Sequence, residues 1–303
     1  MNISHAGKLK AAIESGDFII TAEITPKLTT SADELLLQAK PLKDKVTAVN
    51  VTDGAGARVT MSSLAASALL ARNGIEPVLQ MTCRDRNRIA ISADLIGAAA
   101  LGIENLLILT GDNPGAGDEP DAKGVFDFAA NDIIALATRM NEEGTIGSGR
   151  ELSQRPDFNV GGVDAPFDPP PDWRPDKLAA RADAGMRFIQ TQFCYEPEIT
   201  ERYVGRLREH GILDRAALII GVGPIASIRS ARWMDENLFG VSVPPAVIQR
   251  LEDASDAAEE GHRICVELVE IYKAMPGVSG VHIMAPAQNA QRIADVIDAV
   301  SAG

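Results

Sequence analysis

Eight apolar runs recur along the chain, at 18–24, 48–52, 77–82, 105–111, 158–163, 188–195, 217–222 and 281–285. Most are nearly continuous in apolar residues, which suits strands buried on both faces. Between and after them lie segments with apolar residues at helical spacing, at 31–43, 60–73, 87–101, 131–143, 177–184, 197–210, 225–237 and 288–301. Ser31 followed by Asp33 and Glu34 reads as a capped helix start, with the acids near the positive end of the helix dipole. Gly74, Gly102, Gly185 and Gly211 each follow a helical segment and precede a strand, where glycine is the residue that stops a helix in the left-handed region at least cost. This cadence predicts an α/β protein, a (β/α)8 TIM barrel forming a single domain over residues 1–303. Two further helical segments, 245–254 and 257–275, fall before the last strand and read as an insertion in the final crossover.

Parallel barrel strands gather their C-terminal ends at one mouth, where such barrels carry their chemistry. Two long turn-rich segments, 112–124 and 164–176, follow strands and are expected at that mouth. Three polar residues at strand ends are candidates for a site: Glu23, Asp112 and Gln192.

Composition narrows the partners. The formal charge of −13 argues against nucleic acid or an anionic membrane as the main partner. Apolar and charged fractions of 46% and 23% are ordinary for a globular chain. No apolar stretch approaches the ~20 residues that span a bilayer, and residues 1–17 lack the apolar core of a signal peptide. Cys83, Cys194 and Cys265 show neither metal nor disulfide spacing, so a cytoplasmic location with reduced thiols is expected. Only 4% of residues are aromatic, so a stacked ligand must lean largely on aliphatic walls. A homo-oligomer is left open, since no surface run is unusual enough to name an interface.

Each candidate has a bland alternative. Glu23 sits in an otherwise apolar strand, where partial desolvation favours the proton-bearing form that a general acid needs; a strand-end salt bridge to Lys27 or Arg84 competes. Asp112 accepts hydrogen bonds from a ligand or caps its loop. Alternation points Gln190 and Gln192 to one face, toward a polar ligand or into a hydrogen-bonded core pair. The Arg84-Asp85-Arg86-Asn87-Arg88 run is partly a solvated helix start and partly a surface for an anion. The Gly54/Gly56 turn lacks the third glycine of a dinucleotide fingerprint, because Val59 stands there. His5, His210, His262 and His282 have no metal spacing and read as structural or surface residues, and no metal is expected.

Taken in order, Ala22-Glu23-Ile24-Thr25-Pro26, Val51-Thr52-Asp53-Gly54, Leu109-Thr110-Gly111-Asp112, and Asp183-Ala184-Gly185 leading into Thr191-Gln192-Phe193 resemble the methylenetetrahydrofolate reductase family. The segment Gln80-Met81-Thr82-Cys83-Arg84-Asp85-Arg86-Asn87-Arg88 resembles the branch found with corrinoid and one-carbon catabolic pathways. The resemblance covers nearly the whole chain and implies a flavin-dependent barrel. It implies FAD or FMN as cofactor, tetrahydrofolate derivatives as substrates and NADH or NADPH as the nicotinamide partner. Carried over, it makes Glu23 the general acid toward N10 of methylenetetrahydrofolate and Asp112 a pterin ligand near the flavin. Gln192 would then hydrogen-bond folate and nicotinamide in turn. Thr52, Gly111, Phe128 and Ala129 match flavin-contacting positions, and Lys177 and Arg181 lie on the helix expected near its phosphates or ribityl chain.

The departures are specific. Gln80 and Thr110, which the resemblance places among the flavin-binding positions, stand where the family has a histidine and an arginine toward the flavin. Residues 161–166 replace a Tyr-Pro-Glu segment, and Ile228 replaces a phenylalanine that stacks on folate or nicotinamide. Losing an Arg–phosphate pair removes a strong contact. The competing readings are a non-redox pterin-binding methyl-transfer barrel, a reductase variant without tightly held flavin, and a weakened subunit of an electron-transfer assembly.

Overall fold

A short helix, α1 (Lys8–Ser15), closes the bottom of the molecule. The computed structural model describes residues 7–285 and 289–302. The backbone N–H of Gly7 donates to Glu104, and those of Lys8 and Leu9 donate to Glu76, so two carboxylates satisfy the orphan donors of the helix start. Leu9 is thereby driven into the barrel lumen, where it packs with Ile19, Ala48, Val78, Leu107, Phe188 and Ile219. The sequence pattern did not anticipate this plug. Its eight residues, KLKAAIES, carry too few apolar positions, and its anchors lie far along the chain.

Eight parallel strands follow in chain order around a closed barrel: β1 (Ile19–Ile24), β2 (Ala48–Val51), β3 (Pro77–Thr82), β4 (Asn105–Leu109), β5 (Asn159–Asp164), β6 (Phe188–Phe193), β7 (Ala217–Val222) and β8 (Gly280–Ile283). β8 pairs with β1 through Thr21 opposite His282 and closes the ring. The outer helices are α2 (Ala32–Ala39), α3 (Ser63–Arg72), α4 (Arg88–Ala100), α5 (Ala130–Glu142), α6 (Asp176–Asp183), α7 (Pro197–Glu209), α8 (Ile228–Asn237), α9 (Pro245–Asp253), α10 (Ala257–Ala274) and α11 (Ala290–Ala302). The expected barrel is present, and α9 and α10 are the extra pair before the last strand. The expected start of the last helix at Gln288, and His5, lie outside the described residues.

Local chemistry explains where elements begin and end. Ser31 Oγ accepts from the Glu34 N–H, the predicted cap of α2. The predicted helix 31–43 tightens into a 3-10 turn at Lys40–Leu42, because Pro41 has no N–H to continue the helix. Gly74, Gly102, Gly185 and Gly211 all have positive φ, as their place before strands required. The predicted strand 105–111 stops at Leu109, since Gly111, at φ +92, turns the chain. The predicted strand 188–195 stops at Phe193 behind a register shift, and Thr191 Oγ1 there accepts the Gly221 N–H.

Inside the barrel the side chains form layers. At the bottom the Phe188 ring occupies the space that a side chain at Gly161 would need. One step up, the lumen turns polar with Thr21, Asn50, Gln190 and His282, all buried. Above them, at the C-terminal mouth, come Glu23, Thr52, Gln80 and Gln192.

Candidate functional site at the barrel mouth

Glu23, in β1, points along the lumen side of Thr21, with a side chain 25% exposed. Its Oε2 accepts from Gln80 Nε2 at 2.9 Å and faces His282 Nε2 at 3.7 Å. Among the described residues its Oε1 accepts no hydrogen bond. The expected alternative, a salt bridge to Lys27 or Arg84, is not formed. Arg84 instead clasps Asp85 through Nε and Nη2 at 2.8 Å each and donates to the Gly54 carbonyl. A carboxyl with one oxygen fixed and the other open to the mouth is arranged to give a proton to a bound molecule or take one from it.

Beside it, Thr52 follows β2 and is buried, yet its hydroxyl has no hydrogen-bond partner. A buried polar atom without a partner is uncommon and costs free energy, so it asks for a ligand group. Asp53, next in sequence, is a framework residue whose part the sequence reading did not foresee. It accepts from Arg86 Nη1 and Nη2 at 2.7 and 3.0 Å, from Ser63 Oγ at 3.0 Å, and from the Thr82 N–H and hydroxyl. Burial opposes its charge, but the Arg86 guanidinium and the Thr82 donors outweigh burial and hold the carboxyl below the usual range.

The turn after β2 and the loop after β4 are tied together. Gly54 and Gly56 both have positive φ, and the Gly56 N–H donates to Asp112 Oδ2 at 2.8 Å. Asp112 is exposed at the rim and latches one loop to the other. Gly111, just before it, has φ +92, which L side chains rarely adopt, and a Cβ there would press on Thr82 and Arg84 at 3.0 Å. Thr110 is exposed in the same loop.

None of the three arginines in the basic run is left for an anion. Arg84 is held by Asp85, Arg86 bridges Asp53 and Asp94, and Arg88, the first residue of α4, pairs with Asp127. The expected anion-facing part of that run is therefore corrected: acids of the chain itself occupy it. Arg88 also covers the Phe128 ring, 4.9 Å from its centroid, and the Ala129 N–H is taken by Asp132 Oδ2 at 2.8 Å.

On β6 the two amides part company. Gln190 is core: Asn50 Nδ2 donates to its Oε1 at 2.6 Å, and its Nε2 donates to Thr21 Oγ1 at 3.1 Å. Gln192, one layer higher, is half-buried at the mouth; its Oε1 accepts from the Phe193 N–H, and its Nε2 has no partner among the described residues. Arg181 on α6 donates to the Val163 carbonyl, whereas Lys177 is exposed and makes no ion pair among the described residues. Ile228, the first residue of α8 beyond β7, is half-buried against the outer core. Glu23 and Gln80 therefore meet at the C-terminal end of the barrel, Thr52 and Gln192 lie at the same ends of β2 and β6, and Asp112 is exposed in the loop after β4. Phe128, Ala129, Lys177, Arg181 and Ile228 lie on the surrounding loops and helices.

His282 was read from spacing as a structural or surface residue, and the structure buries it against Glu23. The missed signal is the one that singled out Glu23, a polar residue inside an apolar strand, here Val281-His282-Ile283. A cavity of about 350 Å³ lies apart from Glu23, lined by Phe167, Phe193, Cys194, Tyr195 and Val241 among others. Its thiol is an unfavourable nucleophile, since burial pushes Cys194 up to about 11.

Comparison with known proteins agrees with the resemblance. Over 219 residues the chain is 29% identical to a Caenorhabditis elegans protein named probable methylenetetrahydrofolate reductase (NADPH), covering 70% of this chain and 30% of that one. It is 30% identical over 237 residues to methylenetetrahydrofolate reductase 2 of Schizosaccharomyces pombe, 75% of this chain and 35% of that one. The chain thus spans about a third of the length of these curated relatives. Among solved structures, an uncharacterized protein from Clostridium thermocellum that binds two copies of 5-methyl-5,6,7,8-tetrahydrofolic acid shares the fold with a TM-score of 0.62 at 15% identity, over 96% of this chain and 97% of that one. DmoA from Hyphomicrobium sulfonivorans shares it with a TM-score of 0.52 at 10% identity, over 93% and 86%. The methylenetetrahydrofolate reductase family model matches residues 8–300, and the chain belongs to that family.

Proposed function

We propose that this protein interconverts 5,10-methylenetetrahydrofolate and 5-methyltetrahydrofolate by hydride transfer, with a flavin as redox group and NADH or NADPH as partner. The observation that carries the reading is Glu23, whose Oε2 is held by Gln80 while Oε1 stays free at the mouth. Family membership and the names of the relatives support the substrate. The likeness to a barrel that binds 5-methyl-5,6,7,8-tetrahydrofolic acid is in keeping with it.

In this reading Glu23 gives its proton to N10 of the bound folate as the N10–CH2 bond breaks. The carbon is left as an N5 iminium that accepts hydride and becomes the methyl group. Gln80 keeps the carboxyl aimed and stabilises the carboxylate that forms. Gln192 offers its free Nε2 to the pterin or, when nicotinamide occupies the same face, to the carboxamide. Asp112 accepts from pterin N–H groups with the oxygen that Gly56 does not use.

A flavin, when bound, supplies a two-electron hydride store that nicotinamide fills and folate empties. The residues present fit such a group in part: the unpartnered Thr52 hydroxyl offers it a polar contact. We assign FAD, with FMN the smaller alternative; Lys177 is the residue of α6 whose charge is free for a phosphate. The three free thiols suit the cytoplasm.

A second reading, a pterin-binding barrel without tightly held flavin, is favoured by one observation. Arg84, Arg86, Arg88 and Arg181 are all engaged within the chain, so few cations remain for flavin phosphates. The visible spectrum of the purified protein separates the two. A yellow protein, bleached anaerobically by NADH or NADPH and recoloured by methylenetetrahydrofolate, supports the reductase. A colourless protein that binds 5-methyltetrahydrofolate and stays inactive with added FAD or FMN supports the second.

A further inference from the structure

We propose that the cavity beyond the C-terminal end of β6 is a second ligand site, apart from Glu23, for a flat heterocycle with a ring N–H beside an exocyclic amino group. The inference goes beyond the reading of Glu23 and does not depend on it.

Three parts of the chain build the walls. The loop after β5 gives Phe167, the stretch from β6 into α7 gives Phe193, Tyr195 and Glu196, and the segment after α8 gives Val241. These walls hold a large share of the aromatic side chains in a protein with only two Trp, three Tyr and eight Phe. The Phe193 and Tyr195 rings are nearly parallel, with centroids 5.9 Å apart and 12° between planes. Phe167 stands edge-on to Trp173 at 5.2 Å, and Tyr203 backs both rings. Tyr272 donates to the Cys194 carbonyl behind the same wall. All three tyrosines thus gather here, although composition alone promised a stacked ligand mostly aliphatic walls. Phe239, 89% exposed, directly precedes the 240–242 wall. An aromatic ring left in water beside an aromatic cavity gains by covering a flat guest.

One charged group sets the polar edge of that guest. Two carboxylates reach the lining, and Asp168 is spent on Arg202, at 2.7 and 3.0 Å. Glu196 is half-buried and has no hydrogen-bond or ion-pair partner among the described residues. It is the N-cap residue of α7, yet its side chain makes no capping bond, so both oxygens stay free. A carboxylate only accepts, and its two oxygens match two N–H donors set side by side. Aminopyrimidinone rings, as in pterins and guanine, carry that pair; adenine sets its amino group beside an acceptor instead. The cavity volume of about 350 Å³ is near the lower end of ligand pockets, roughly 300–1,000 Å³. That suits one bicyclic ring and excludes a whole dinucleotide.

Calorimetry on the full chain tests the site, with pterin and guanosine in separate titrations and adenosine as the mismatched probe. Pterin or guanosine is expected to bind, with adenosine at least about tenfold weaker. Glu196→Gln replaces one acceptor by a donor and should weaken that binding at least about tenfold. Phe167→Ala, at an exposed position, should weaken it several-fold, with both variants folded by circular dichroism. Tighter binding of pterin assigns the site to pteridines, and tighter binding of guanosine assigns it to guanine nucleosides. The pterin titration is repeated in Glu23→Gln, where the binding that depends on Glu196 should persist; its loss there would place the ligand at the mouth and overturn the second site. The inference is equally overturned if neither compound binds, if adenosine binds as well, or if either Glu196→Gln or Phe167→Ala leaves affinity unchanged.

Discussion

Gln80 on β3 donates from Nε2 to Oε2 of Glu23 on β1 at 2.9 Å, bridging the barrel mouth past β2. The resemblance had marked Gln80 as a flavin-binding position, a glutamine where the family carries a histidine. Its observed partner is the candidate acid. Hydrogen bonds to charged groups are worth about 1.5–3 kcal/mol, which as a barrier is roughly 10- to 100-fold in rate. Gln80→Leu is therefore expected to slow folate turnover by that factor and to leave flavin reduction by NAD(P)H nearly unchanged. Stopped-flow measurement of the two half-reactions checks this, and equal slowing of both would remove Gln80 from the acid's support.

Thr52 predicts a trade between stability and binding. Its buried hydroxyl has no partner, and Val has nearly the same shape without that polar atom. Relieving an unsatisfied buried group is worth about 1–3 kcal/mol at most. Thr52→Val should raise the melting temperature of the ligand-free protein and weaken flavin binding several-fold. Thermal melts with a flavin fluorescence titration give both numbers. A variant that loses stability and keeps flavin affinity would show that the hydroxyl serves the fold.

Asp112 spends one carboxylate oxygen on the Gly56 N–H and sits exposed on the rim. Asp112→Asn keeps an oxygen for that bond but removes the charge. We expect near-wild-type stability, folate binding weaker by about tenfold, which is ~1.4 kcal/mol, and a shifted flavin potential. Calorimetry and a potentiometric titration are the measurements. Unchanged affinity and potential would reduce Asp112 to a loop latch.

Asp53 gives the pH dependence. Its carboxyl is held below its ordinary value of 3.8, because Arg86 and the Thr82 donors outweigh burial. A lowered folded-state pKa stabilises the fold above the unfolded value, and that stabilisation fades as pH falls toward the folded value. Breaking a buried pair on one side costs about 3–5 kcal/mol, so Asp53→Asn should lower unfolding stability by roughly that amount at pH 7. The gap to wild type should narrow below about pH 4. Urea unfolding across pH 3–7 checks it, and a gap independent of pH would assign the loss to packing.

The barrel was legible in the sequence because its punctuation is local. Gly74, Gly102, Gly185 and Gly211 sit where each helix must stop, and the apolar runs between them are continuous because parallel strands are covered on both faces. What stayed hidden depends on partners distant in the chain. Leu9 becomes core only because Glu76 and Glu104 anchor its helix. The basic run looks free in sequence, yet Arg86 finds Asp53 and Asp94, and Arg88 finds Asp127. Alternation predicted one face for Gln190 and Gln192, and the register shift between Gln190 and Phe193 falls at this point of the strand. It could not say that the lower amide is closed off by Asn50 and Thr21 while the upper one keeps a free nitrogen. His282 was passed over because histidines were judged by metal spacing, when its place inside an apolar strand was the telling feature.

The most direct test of the account is Glu23→Gln in separated half-reactions. General acids contribute about 10²- to 10⁴-fold, so folate-driven reoxidation of the flavin should fall by that factor. Flavin reduction by NADH or NADPH should stay within a few-fold of wild type. Equal damage to both half-reactions, or folate turnover that survives the substitution, would contradict the role given to Glu23.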